Sequence, residues 1–244
     1  KAAPNGAAFA GAARYTDSLV VLSGRTGKLL WFDQVTRNDV RDYDFQASPV
    51  LAGGRVFGAG KAGRVVAWDA TTHRRLWSRA VGTHRDDLGP LPRTPTLVCP
   101  GHLGGVETPM AYAAGRLFVP VVELCSRESA ITTPSAFARD PATGKGVVYA
   151  LDAATGKVAW RRALGSPPFG CATVARDAVI VPTYDGRVTI FDAASGRVLW
   201  RTRLRDGVNS CPAVAGELLL VGAGAPYPGL AHPVAEVVAY EARG

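Results

Sequence analysis

The stretch Tyr149-Ala150-Leu151-Asp152-Ala153-Ala154-Thr155-Gly156-Lys157-Val158-Ala159-Trp160 decides how the whole chain is read. An apolar run ends at Asp152, Ala-Ala-Thr-Gly turns, and strand-like sequence resumes towards Trp160. Two short apolar runs joined by Asp- and Gly-bearing residues are the pattern of antiparallel strands with a tight turn. The pattern recurs. Val188-Thr189-Ile190-Phe191-Asp192 leads through Ser195-Gly196-Arg197 to Trp200, and Val65-Val66-Ala67-Trp68-Asp69 leads through Thr72-His73-Arg74 to Trp77. Leu19-Val20-Val21-Leu22-Ser23 leads through Thr26-Gly27-Lys28 to Trp31, with the aspartate lost. Four of the five Trp therefore share one register, at spacings of 46, 83 and 40 residues.

Two further strands precede each such pair. In the most regular copy they are Ala172 to Val174 and Ala178 to Pro182, with a turn at Arg176-Asp177. Four short strands in a unit of about 40 residues are the signature of a propeller blade. The expected fold is all-β, a β-propeller of four to five visible four-stranded blades forming part of a larger, eight-bladed ring. The expected domain is single over 1–244, with blades near 15–35, 47–81, 107–164, 170–205 and 211–241, the first and last incomplete. The two incomplete ends would either complement one another or belong to a bigger ring, since closure removes exposed edges. Residues 1–14 read as a loop, the third blade carries an insertion near 123–145, and Trp31, Trp77, Trp160 and Trp200 read as blade-to-blade packing.

Composition narrows the function classes. The chain has 244 residues, 47% hydrophobic and 20% charged, which is globular. Apolar runs such as Leu218 to Val221 are far too short to span a bilayer. The net charge is +8, and Arg supplies 23 of the 28 basic residues. They recur singly at repeat positions (Arg64, Arg187, Arg197, Arg201) and do not cluster with aromatics, which argues against nucleic acid. Four Cys show no zinc-ligand spacing. Cys171 and Cys211 lie one repeat apart and Cys99 and Cys125 flank an irregular segment, which suits two disulfides, Cys99–Cys125 and Cys171–Cys211, in an oxidising compartment, although four buried thiols would give the same sequence. The chain begins at Lys1 without a leader pattern, which reads as a processed form or a fragment.

One stretch breaks the repeat. Asn38-Asp39-Val40-Arg41-Asp42-Tyr43-Asp44-Phe45 puts three carboxylates in six residues. In extended backbone Asp42 and Asp44 leave the same face, where they repel. A cation, an arginine or solvent would relieve that repulsion. The simplest alternative is a solvated turn with Arg41 paired internally to the carboxylates. His73, His84, His102 and His232 share no metal spacing and read as surface residues, and Glu107 reads as a loop carboxylate.

The Ala-x-Thr-Gly-Lys-x-x-Trp repeat resembles the pyrroloquinoline quinone (PQQ) repeat. That repeat builds quinoprotein dehydrogenases and also cofactor-free propellers such as the outer-membrane-assembly scaffold lipoprotein. A sharper resemblance covers residues 15–69. There the order Tyr15-Thr16-Asp17-Ser18, Thr-Gly-Lys-Leu-Leu-Trp, Asn38-Asp39-Val40-Arg41-Asp42-Tyr43-Asp44, Ser48-Pro49-Val50-Leu51 and Gly60-Lys61-Ala62-Gly63 is similar to that of PQQ-dependent alcohol dehydrogenases. The resemblance implies Asp42 as the catalytic base, Asp42 and Asp44 as ligands of a Ca or lanthanide ion, and Lys61 as the residue on the quinone. It implies a small alcohol as substrate, and an exported bacterial protein, periplasmic or extracellular. The scaffold resemblance implies instead a protein partner and no cofactor. Asn38, Arg41 and Ala62 depart from the family's usual His, Trp and Asn, and the family's other ligands, a Glu and an Asn, and its adjacent-Cys pair have no counterpart in this sequence.

Overall fold

A computed structural model describes residues 13–130, 140–228, 230 and 232–241. The expected start of the chain up to residue 12, and 131–139 of the expected insertion, lie outside the described residues. The chain is organised as two compact units, Lys1–Val106 with Leu124–Arg139, and Glu107–Glu123 with Asp140–Gly244. Strands are numbered along the chain.

In the first unit β1 (Ser18–Leu22) and β2 (Leu29–Gln34) form an antiparallel pair. β3 (Val50–Ala52), β4 (Arg55–Gly60), β5 (Arg64–Asp69) and β6 (Arg75–Ala80) form a four-stranded sheet in sequence order. β7 (Thr96–Val98) pairs with β10 (Ser126–Glu128), which comes from the segment expected to be an insertion.

In the second unit β8 (Ala111–Ala113), β9 (Arg116–Glu123), β11 (Lys145–Asp152) and β12 (Val158–Leu164) form one four-stranded sheet. β13 (Thr173–Ala175), β14 (Ala178–Pro182), β15 (Arg187–Asp192) and β16 (Val198–Arg203) form another. β17 (Ala213–Ala215), β18 (Leu218–Ala223) and β19 (Glu236–Glu241) form a three-stranded sheet. The described elements are strands throughout, apart from a single 3-10 turn at Pro141–Thr143.

The hairpins form because their turn residues adopt the left-handed region. Gly53 and Gly54 have φ of 56° and 72°, and Ala114 and Gly115 have 47° and 75°. Two consecutive positive φ values give the turn whose twist matches that of the strands. The repeat turn works differently. Asp152 Oδ1 accepts from the Thr155 amide and hydroxyl at 2.8 and 2.7 Å, and Gly156 donates its N–H to Asp152 O at 2.8 Å with φ 68°. Asp192, Ser195 and Gly196 repeat this, with amide bonds of 2.7 Å to Asp192 Oδ1 and 2.8 Å to Asp192 O. In the β1–β2 turn Ser23 Oγ replaces the carboxylate, accepting from Thr26 N at 3.2 Å. In the β5–β6 turn His73 holds the glycine position at φ 63°.

The Trp residues pack against these turns. Trp160 lies on the face of Gly196, where an added Cβ would come within 2.6 Å of its ring, and its Nε1 donates to Ala193 O at 3.0 Å. Trp31 stacks on the His73 imidazole with centroids 4.6 Å apart and planes 20° off parallel. A repeat Trp under the turn of the following sheet is thus seen twice, once within each unit. The cores follow the strand faces: Phe118, Val148, Trp160, Val181 and Phe191 in the second unit, and Leu19, Val66 and Trp68 in the first.

Candidate functional site

The irregular stretch after β2 curls instead of extending. Asp39 explains why: its Oδ1 accepts the Arg41 amide at 2.9 Å and its Oδ2 the Tyr43 amide at 2.8 Å. A carboxylate that caps amides two and four residues on bends the chain locally. Asp42 sits at the bend with φ 63°, so the expectation of extended backbone fails there. Asp is among the residues that tolerate this conformation. The alternation of faces survives the bend: Arg41 and Tyr43 are buried, while Asp42 and Asp44 remain partly open.

Arg41 and Tyr43 tie this stretch to two other loops of the same unit. Arg41 Nη1 donates to Gly89 O at 2.8 Å, and Nη2 approaches the carbonyls of Asp86, Pro90 and Leu88 at 3.2, 3.3 and 3.4 Å. Its Nε lies 3.8 Å from Glu128 Oε2. Burial pushes the Glu128 carboxyl above its usual range, against the opposing pull of Ser126 and Arg41. Tyr43 donates its hydroxyl to Pro100 O at 2.5 Å, and burial pushes that phenol up. The internal Arg41 pairing with Asp42 and Asp44 is thereby corrected. The guanidinium is spent on loop carbonyls, which a planar five-donor group satisfies better than a point charge would.

Lys61 relieves the repulsion between the carboxylates. Its Nζ donates to Asp42 Oδ2 at 2.9 Å and to Asp44 Oδ2 at 2.6 Å. The lysine side chain is 9% exposed, the two carboxylates 39% and 49%. Glycines bring the backbones close enough for this. An added Cβ on Gly60, at the end of β4, would sit 2.2 Å from Asp44 O, and the Lys61 amide donates to that same oxygen at 3.0 Å. Gly105, with φ 80°, presses on Lys61 O, where its Cβ would approach to 2.1 Å. The three residues singled out in the sequence therefore meet in one cluster of formal charge −1.

His102 is a correction to the expectation that the histidines are surface groups. It is buried, and its Nδ1 meets no hydrogen-bond partner among the described residues. Burial holds its pKa below the ordinary imidazole value, with Asp42 raising it and Lys61 lowering it. Its loop is clamped by the Cys99–Cys125 disulfide and by the Gly101 amide on Leu124 O at 2.8 Å. The run Pro100-Gly101-His102-Leu103-Gly104-Gly105 carries no local pattern that announces this burial, which comes from loop packing. His84 is also partly withdrawn from solvent and pairs with Asp87 at 2.6 Å. Glu107 lies in the other unit, half-buried. The second disulfide joins Cys171 and Cys211. Among the described residues no three His, Cys, Asp or Glu converge on a metal position, and no helix is long and apolar enough to cross a membrane.

Solved structures share this fold. The quinohemoprotein alcohol dehydrogenase ADHIIG of Pseudomonas putida HK5 superposes with a TM-score of 0.74 at 20% identity over 92% of this chain and 43% of its own. A europium-containing methanol dehydrogenase gives 0.69 at 19% over 86% and 45%. The quinohemoprotein alcohol dehydrogenase of Comamonas testosteroni gives 0.69 at 22% over 86% and 39%. The chain thus spans less than half the length of these structures. No curated protein sequence matches it. The family model described as outer membrane protein assembly factor BamB matches residues 6–97 and 142–240. With that match over most of its length, the chain belongs to this PQQ-repeat family and is a β-propeller of PQQ-type blades resembling the quinoprotein alcohol dehydrogenases.

Proposed function

We propose that the chain carries the base-and-lysine part of a quinoprotein-type site that oxidises small alcohols with PQQ. The observation that supports this reading is the Lys61 ammonium held between Asp42 and Asp44 while both carboxylates stay open to a ligand. The residues fit a quinone as far as they go. Lys61 supplies a fixed positive charge and His102 a buried nitrogen with no hydrogen-bond partner among the described residues, both suited to ligand oxygens. They fit a hard cation in part. The Oδ1 atoms of Asp42 and Asp44 are left over from the lysine, whereas Ca²⁺ takes six to eight oxygens, so further ligands would come from beyond the described residues.

In this reading Asp42 takes the hydroxyl proton of the alcohol. PQQ would supply the two-electron acceptor for the hydride of the carbinol carbon, which would leave the alcohol as a carbonyl compound. Lys61 holds Asp42 in place beside Asp44, and its charge offsets the negative charge gathered on nearby oxygens. Asp44 would join Asp42 as a ligand of Ca²⁺ or a lanthanide. Export to the periplasm or the cell exterior is part of the proposal, supported by two disulfides in a chain of this size.

The test adds PQQ with Ca²⁺ or La³⁺ to the full chain and follows PQQ binding by absorbance and dye reduction by short alcohols. Asp42→Asn is expected to keep PQQ binding and lose about 10²-fold or more in turnover. An Asp42→Asn protein as active as the parent would overturn the assignment. A second reading, a cofactor-free scaffold for a protein partner, is favoured by the apolar side chains that β1 and β2 leave exposed, Leu22 and Leu30 among them. Absence of PQQ binding with either cation would turn the balance to it.

A further inference from the structure

We propose that Arg41 is the positioning residue of Asp42: its guanidinium, sunk among carbonyl oxygens of residues 86–90, holds the bend that brings the Asp42 carboxylate to Lys61. The inference rests on the quinoprotein-type reading above for what Asp42 does, and on the geometry of the first unit alone for how it is held. Asp42 has φ 63°, a conformation that a non-glycine residue keeps only where its surroundings enforce it. Its own side chain does little of this. The carboxylate is partly open, and its 2.9 Å bond to Lys61 Nζ ends on a flexible four-carbon stem.

The two neighbours of Asp42 are the anchors. Tyr43 is buried and donates its hydroxyl to Pro100 O at 2.5 Å. Arg41 is buried too, with Nη1 on Gly89 O at 2.8 Å and Nη2 within 3.4 Å of the carbonyls of Asp86, Leu88 and Pro90. Two left-handed residues, Asp86 at φ 50° and Gly89 at φ 74°, curl this loop round the guanidinium. Its ends are fixed independently of Arg41. Arg85 and Cys99 exchange amide bonds of 2.7 and 2.9 Å at one end, and the Ala130 amide donates to Pro92 O at 2.8 Å at the other.

The anchor therefore stays put while the residue beside it is aimed. A planar fork with five donors serves several carbonyls at once, which the single ammonium of a lysine does not. Because both anchors are protein groups, the base is set before a quinone or a cation enters. Losing the anchor should then act on the chemical step more than on substrate binding.

The experiment compares the full chain with Arg41→Ala and Arg41→Lys, first without PQQ. Acetic anhydride labels the lysines, and mass spectrometry gives the rate at Lys61 relative to the exposed Lys28 and Lys157. In both variants Asp42 should leave Lys61, and the relative rate should rise about tenfold, the effect of one charged hydrogen bond lost. Millimolar guanidinium should return Arg41→Ala towards the parent's rate saturably and leave the parent unchanged, while urea, the uncharged analogue, should do neither. With PQQ and Ca²⁺, Arg41→Ala should lose about 10²-fold in kcat for ethanol with KM within about threefold, and guanidinium should restore part of it. Should Arg41→Ala not fold, Arg41→Lys carries the first readout. A Lys61 rate equal to the parent's in the folded variant overturns the proposal, and so does a raised rate in Arg41→Ala that guanidinium does not lower. The expected Lys61 response in a chain without PQQ-dependent turnover upholds the positioning role and removes only the catalytic reading.

Discussion

At the scale of single residues, the division of labour inside 39–44 decides what each substitution does. Lys61 carries two ion pairs from an almost buried position, but its partners are about half exposed, so the pairs rank between surface bridges and buried ones. Lys61→Met is expected to cost about 2 kcal/mol in urea unfolding, with the slope unchanged, and to abolish PQQ binding. Glu128 offers a pH signature. Its folded-state pKa is raised by burial, so its contribution to stability is full below the unfolded value near 4.5 and fades as pH rises through the folded value. The stability of the parent relative to Glu128→Gln should therefore fall as pH rises above about 4.5 and level off once the folded carboxyl has ionised, measured by denaturant midpoints. Asp42, Asp44 and Lys61 stood out in the sequence because their order resembles that of a known family and two like charges need a partner, but nothing local names Lys61 as that partner. The role of Arg41 was left open by the sequence, since no local pattern announces four carbonyls contributed by residues 86–90. His102 was missed for a related reason: burial comes from loop packing, and loops have no periodicity to reveal which side faces in.

At the scale of elements, the repeat turns show how far the motif can drift. His73 occupies a conformation that costs a non-glycine residue about 1–2 kcal/mol, and its ring recovers about 0.5–1.5 kcal/mol by stacking on Trp31. The two terms nearly cancel. His73→Gly should thus leave stability within about 1 kcal/mol of the parent, while His73→Ala keeps the strain, loses the stack and should cost about 1 kcal/mol. Thermal unfolding of the pair of variants checks this. Gly105→Ala is a harsher change, combining a positive φ with a Cβ driven onto Lys61 O, and at least about 2 kcal/mol should be lost together with the Asp42–Lys61 geometry. The strands themselves were readable because Asp-x-x-Thr-Gly fixes the turn and the turn fixes the register. The strand β10 was not. It is three residues long, follows Cys125 directly, and pairs with β7 across an interval that carries no repeat signal.

At the scale of the whole molecule, the disulfides should dominate the response to reductant. They close intervals of 26 and 40 residues, which in the chain-entropy picture correspond to about 3.5 and about 4 kcal/mol. Reduction is expected to lower the melting temperature by several degrees per bridge, and Cys99→Ala with Cys125→Ala should also weaken PQQ binding, because that bridge holds the His102 loop. The first unit is discontinuous in sequence: the chain leaves it after Val106 and returns at Leu124 with Cys125 and β10. This has a consequence for biosynthesis. As the chain emerges, the His102 loop has neither its disulfide partner nor its strand partner until β8 and β9, which belong to the other unit, have already been made. A protein cut after residue 106 would therefore contain Asp42, Asp44, Lys61 and His102 and still leave Cys99 and β7 without the partners that fix the loop.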